Sequence, residues 1–351
     1  VVLKSGLPSS AVSFTVTVDE DASVRGIRYL QSGKANTSAS LSVSSGKTLT
    51  IGSGEAGSLA SLLINNTYAT SAGLASVLGG TISFGAAEGV ILLNNDYSKE
   101  TPTKITSSIT GTGGLVIAAP LKPAAGHHNG YVSLSAVNPY SGGTWIEGAI
   151  VRADKAGCLG TGAVHVSGTE ADGGALYVYG SYDSAEFANP LELSGFGPDG
   201  NGPASQVASS LKGALIVKRP ISLTGGIALT ADAKIAVAGN ALATPETADS
   251  AITGPGALVL QGPGALRLTV ANVYAGGTRI ESGVLEVTDA GTLGTGPVEV
   301  CEGAVLRFLN SGAKTVSNVI TGTGTIECNG AAVTFEQADG FAGAMTRTRS
   351  S

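Results

Sequence analysis

Short runs of alternating apolar and polar residues recur along this chain, each closed off by Gly, Asn or Asp. Ser13-Phe-Thr-Val-Thr-Val18, Leu41-Ser-Val43, Thr48-Leu-Thr-Ile51 and Ala163-Val-His-Val166 are examples. Gly264-Ala-Leu-Arg-Leu-Thr-Val270, Val284-Leu-Glu-Val287 and Ala304-Val-Leu-Arg-Phe308 continue the series. A period of two puts every second side chain on one face, the mark of a half-buried strand. Corners between such strands favour Gly, which accepts positive φ, and Asn or Asp, which bond to nearby backbone. A 3.6-residue apolar period never lasts beyond a turn or two. The nearest approach, Glu55 to Leu63, is interrupted by Gly57. The pattern predicts an all-β chain.

One phrase occurs twice. Asn138-Pro-Tyr-Ser-Gly-Gly-Thr-Trp-Ile-Glu147 runs on to Ala156-Gly-Cys-Leu-Gly-Thr-Gly-Ala-Val-His-Val166. It returns 134 positions later, without a gap, as Asn272-Val-Tyr-Ala-Gly-Gly-Thr-Arg-Ile-Glu281 and Ala290-Gly-Thr-Leu-Gly-Thr-Gly-Pro-Val-Glu-Val300. In a degraded third copy, Asp339-Gly-Phe-Ala-Gly-Ala344, Phe341 stands 67 positions after Tyr274. Ile252-Thr-Gly-Pro-Gly256 and Ile320-Thr-Gly-Thr-Gly324 keep nearly the same beat, and Ile109-Thr-Gly-Thr-Gly113 precedes the first copy. Self-similarity at a fixed period marks a repeat architecture, and a third of 67 gives coils of roughly 22 residues, suited to a stacked β-solenoid. The expected organisation is a single β-helical fragment over 1–351. Repeats fall at about 109–176 and 252–309, with a truncated one at 320–351. Some 16 such coils, stacked at a strand spacing of ~4.8 Å, would make a rod roughly 75 Å long. Ile146 and Ile280 are expected inside, with Glu147 and Glu281 outside. Pro120 to Gly130 lengthens the first copy and is expected to bulge as a dispensable loop.

Composition fits this reading. Gly is 52 of 351 residues, about twice ordinary usage, and it lacks the every-third-residue period of collagen. The net charge is −6 with dispersed Lys and Arg, so nucleic-acid binding is excluded as a reading. No run of 18 apolar residues is present, hence no membrane-spanning helix is predicted. The three cysteines follow no metal-ligand or disulfide pattern. Cys301 and Cys328 would meet across coils if both pointed inward; their apolar neighbours, like those of Cys158, favour small buried hydrophobes instead.

The phrase N-x-Y-x-G-G-T-x-I-E, followed by a strand, A-G-x-L-G-T-G and another strand, resembles the passenger-associated repeat of autotransporters. It matches here at Asn138 to Val166 and Asn272 to Val300. The resemblance implies a right-handed parallel β-helix of pectate-lyase-like architecture, exported through the outer membrane to the bacterial surface. It also implies a β-barrel translocator or outer-membrane anchor outside the residues given, since no set of amphipathic ten-residue strands follows Phe341.

The repeated residues have a structural reading. Gly142, Gly143, Gly276 and Gly277 suit a tight corner; Thr144 and Thr278 open the next strand. Asn138 and Asn272 are expected to turn inward or cap that corner. Tyr140 and Tyr274 are expected to stack on neighbouring coils and send the phenol to solvent or to a backbone carbonyl. Catalysis has little to work with. The acidic run Asp19-Glu-Asp21 reads as a solvated turn, and Asp154 and Asp289 as turn acids. His127 and His128 lie in the lengthened loop without further ligands at metal spacing, and His165 reads as a lone surface residue. No catalytic residue, cofactor or metal is expected. Trp145, the only indole, stands where the second copy has Arg279, and with Tyr177, Tyr179 and Tyr182 it forms the candidate binding patch. The expected function is a non-catalytic surface scaffold projecting loops toward host or matrix glycans or sister cells. The alternative is a carbohydrate-active β-helix, a polysaccharide lyase or glycoside hydrolase.

Overall fold

The computed structural model describes residues 2–5, 14–31, 39–69, 76–97, 102–120, 130–168, 173–179, 183–198, 211–238, 242–244 and 250–348. Among them there are strands, turns and bends but no α-helix, and every ladder pairing is parallel. The chain divides into two units, 1–183 with 198–210, and 184–197 with 211–351. Each is a parallel β-helix.

The first unit begins with three strands per coil. One ladder stacks Phe14–Val18, Ala39–Val43, Ser76–Leu78, Thr103–Ile105, Tyr131–Leu134, Ile150–Ala153 and Ala175–Val178. A second stacks Ala22–Val24, Thr48–Ile51, Thr81–Ser83 and Ser108–Thr110. A third runs Gly26–Gln31, Leu59–Ala69, Glu88–Tyr97, Leu115–Ala118, Thr144–Glu147 and Val164–Ser167. Alternation sends Leu49, Ile82 and Ile109 inward from the second ladder and Ile91, Ile117 and Ile146 inward from the third, all essentially without solvent contact. Each such side chain contributes about 1.5–3 kcal/mol by leaving water, so the stacked interior columns hold the coils in register.

The second unit uses two long ladders. Leu258–Gln261, Thr278–Ile280, Val298–Val300, Lys314–Gly322 and Val333–Gln337 form one. Ala265–Leu268, Val284–Thr288, Val305–Leu309, Thr325–Asn329 and Ala344–Thr348 form the other. Ile280 and Val300 point inward from the first, and Leu285, Leu306 and Ile326 from the second.

Ile146 and Ile280 are buried and Glu147 exposed, as expected, but Glu281 is half-buried. Its carboxylate is drawn across the sheet by the Lys234 ammonium at 2.7 Å and lies 3.6 Å from Arg279. Coil length also differs from the even division of 67. Thr144 pairs with Val164 twenty residues on, Thr278 with Val298 likewise, whereas Leu115 reaches Thr144 only after 29. As a result Phe341 is out of phase with Tyr274. The strand after Tyr274 joins the first ladder of its unit, but the strand after Phe341 joins the other. Phe341 itself pairs with Gly322. Of the lengthened loop, 121–129 lie outside the described residues, His127 and His128 among them.

Candidate functional site

The twice-repeated phrase builds the same corner in both units. In the first, the Ser108–Thr110 ladder stops, and the next coil offers Asn138 where a strand would continue. Asn138 Oδ1 accepts the Ile109 amide at 2.7 Å, and its Nδ2 donates to the Cys158 carbonyl at 2.5 Å. One buried amide therefore joins the coil before to the coil after, replacing bonds a strand would have made. Asn272 does the same: its Oδ1 accepts Ile252 N at 2.8 Å, and its Nδ2 donates to the Val270 and Thr292 carbonyls, both at 2.9 Å.

Tyr140 and Tyr274 go further inside than the sequence suggests. Neither reaches solvent. Each phenol meets the hydroxyl of the threonine four residues on, at 2.6 Å (Thr144) and 2.7 Å (Thr278). Those threonines spend their single proton on the Leu159 and Leu293 carbonyls, so the tyrosines are the donors. Burial raises both phenol pKa values well above the ordinary range, and the rings stay protonated at any physiological pH. The glycines act in two ways. A Cβ on Gly142 would run into the Gly113–Gly114 backbone, and one on Gly276 into Gly256 and Ala257, while Gly143 and Gly277 both hold φ +96°.

Outside the corner the two copies part. Trp145 lies over its ladder partner His165, ring centres 4.7 Å apart and 6° from parallel, and its indole covers Gly114 on the previous coil. His165 is thus half of a stacked pair rather than a lone residue. The matching rungs of the second copy carry Arg279 and Glu299, joined at 2.6 Å. A longer ionic column runs down the other ladder of that unit: Arg267, Glu286, Arg307 and Glu327 are successive partners with bonds of 2.8, 2.9 and 2.6 Å. Glu286, its side chain 8% exposed, sits between two guanidinium groups. Its alternating signs, about 20 residues apart, become visible in the sequence only once the coil length is known.

The other members of the candidate patch are on a different ladder. Tyr177 is fully buried and meets Tyr179 edge-on at 5.4 Å. The Arg152 guanidinium lies 4.4 Å from the Tyr179 ring centre and donates to Asp154 at 2.7 Å. The structure gathers Tyr177 and Tyr179 around Arg152 and leaves Trp145 with His165; Tyr182 lies outside the described residues. Cys158 is buried, its thiol pushed up to about 12 by desolvation, while Cys301 and Cys328 are half-exposed and unpaired. Among the described residues no three His, Cys, Asp or Glu side chains come together as a metal site.

Comparison with known families adds the decisive observation: the family model of the passenger-associated-transport-repeat matches residues 129–153 and 258–287. The chain carries passenger-associated-transport repeats. Both matches contain an Asn-x-Tyr-x-Gly-Gly-Thr corner, and neither extends to Phe341, in keeping with its phase. The chain is also similar to the adhesin BmaC autotransporter of Brucella suis biovar 1 (strain 1330), at 30% identity over 224 residues. That similarity covers 61% of this chain and 6% of the adhesin, so the chain spans a small part of the relative's length. No solved structure matches. The resemblance to autotransporter passengers holds on both counts, the repeats and the relative.

Proposed function

We propose that this chain is a stretch of a surface-displayed or secreted passenger, exported through the outer membrane, whose β-helix is a non-catalytic adhesive scaffold. The repeat corner carries the argument. Its polar groups are bonded to one another or to backbone, which leaves them as fasteners between coils rather than as reacting groups. The relative named an adhesin supports the same reading. A translocator or outer-membrane anchor belongs elsewhere in the whole protein. Host or matrix glycans and sister cells are the partners a long repetitive surface suits, because weak contacts gain avidity by repetition.

The test is display. Cells presenting the chain on an outer-membrane translocator should adhere to matrix-coated or cell-coated surfaces above cells presenting the translocator alone. Equal adherence, with turnover of a polysaccharide that disappears on replacing one or two carboxylates, would overturn the scaffold in favour of a carbohydrate-active enzyme.

A further inference from the structure

The short ladder of the first unit carries a surface that the corner does not use. Its inward residues are Leu49, Ile82 and Ile109, so the alternate positions face out. Register then aligns the hydroxyl residues into two columns: Thr48, Thr81 and Ser108 in one, and Ser23, Thr50, Ser83 and Thr110 in the other. Rungs on such a sheet stand about 4.8 Å apart, and residues i and i+2 roughly 6.6 Å apart along each strand. The result is a flat two-dimensional lattice of hydroxyls.

The far rung is engaged within the protein. Ser108 donates to the Val137 carbonyl at 2.7 Å, and Thr110 reaches the Ile82 carbonyl at 3.4 Å. Ser83 accepts the Gly85 amide at 3.2 Å, which leaves its proton to give. The hydroxyls of Thr48, Thr50 and Thr81 take no partner among the described residues. No charged residue stands on these four strands. At the adjoining corner Asp21 is occupied by the Thr48 amide at 2.8 Å, and Lys47 precedes Thr48.

We propose that this face binds a neutral polysaccharide laid across the rungs, which deepens the adhesive reading above by naming its partner. An uncharged lattice gives no attraction to an acidic or basic polymer, but its repeated donor–acceptor groups meet the repeated hydroxyls of a neutral one. The lattice covers about 14 by 7 Å, far below the roughly 800 Å² per partner of a stable protein interface, so its occupant is a chain of small repeating units rather than a folded protein. Affinity per site is weak and is raised by many displayed copies.

The experiment is retention of the purified full chain on insoluble cellulose and chitin, compared with heparin-agarose. The double variant Thr50→Val, Thr81→Val removes two hydroxyls and keeps the shape and strand preference of the side chain; Thr334→Val, on an exposed position of the other unit, is the control. Wild type and T334V should be retained on a neutral polysaccharide equally at low salt and 0.5 M NaCl, and the double variant at least tenfold less. Passage of the wild type through every neutral matrix, equal retention of the double variant, or retention on heparin alone would overturn the proposal. So would inhibition of ice recrystallisation without polysaccharide retention, which would assign the lattice to ordered water. Displayed cells that adhere while the purified chain is not retained would leave the adhesive reading standing and remove this one. A retained chain that gives no adherence when displayed supports the lattice and counts against that reading.

Discussion

The two copies of the repeat build the same buried corner, each in its own unit, and differ outside. At both corners an asparagine joins neighbouring coils, a buried tyrosine donates to a threonine, and a glycine holds φ +96°. One turn of chain later, the first copy stacks Trp145 on His165, and the second pairs Arg279 with Glu299. The interior is constrained because a buried amide or carbonyl left unpaired costs about 1–3 kcal/mol. The outer rung needs only two side chains that tolerate each other across a strand spacing, which aromatic stacking and charge pairing both provide. Invariance therefore marks the fasteners, and variation marks the places where a surface can change without unfolding the coil.

Removing a fastener should have the largest effect. Asn272→Ala strands Ile252 N and the Thr292 carbonyl, the Val270 carbonyl keeping the Thr292 amide, and should lower stability by about 2–5 kcal/mol, with a similar loss for Asn138→Ala, read as the midpoint of urea unfolding. A loss below 1 kcal/mol would show that water replaces the amide. Next comes the ionic column. Glu286→Ala leaves Arg267 and Arg307 facing each other and should cost about 2 kcal/mol, less than the 3–5 of a fully buried pair because both arginines keep some water. The cost should shrink as salt rises.

Tyr274→Phe keeps the ring and drops one donor, so about 0.5–1.5 kcal/mol is expected, again from the unfolding midpoint. Transplanting the outer rung of one copy into the other tests whether the two outer surfaces are interchangeable. Trp145→Arg with His165→Glu should change stability by less than about 1 kcal/mol if outer rungs are interchangeable, because a half-buried aromatic stack and an exposed ion pair differ by about that little. A larger loss would make the indole part of the corner. The smallest effect is local. The Ser311 hydroxyl, then the Ser311 and Gly312 amides, hold the Asp289 carboxyl below the usual carboxylate range. A depressed folded pKa means the contribution is present above the unfolded value of about 4 and is lost as pH falls through the folded one. The Ser311 amide resonance should therefore titrate below pH 4 and lose that response in Asp289→Asn.

What could be read from the chain was what repeats within it. The strand class, the inward isoleucines and the turning-in of Asn138 and Asn272 follow from alternation and from a phrase seen twice. The tyrosines' depth was not legible, because a phenol's destination depends on whether the threonine four residues on faces the same space. His165, the Arg267-to-Glu327 column and the half-burial of Glu281 depend on which residues meet across coils. Coil length sets those meetings, and loops alter it: 20 residues in one place, 29 in another. The same uncertainty hid the phase of Phe341, which the 67-position spacing from Tyr274 does not reveal. Of the candidate patch, Tyr177 meets Tyr179 but is itself buried, Trp145 lies on another ladder, and Tyr182 lies outside the described residues.

The described ladder partners lie only 18 residues apart at the nearest, Val319 with Gln337, and 38 at the farthest, Gly195 with Ala233. A chain built this way never waits for a distant segment. Once two successive coils have emerged from any narrow exit, the first strand pairs can close, and each later coil adds onto a finished template. Order of appearance becomes order of folding, and every coil that locks outside makes backward slippage harder, so the architecture can act as its own ratchet.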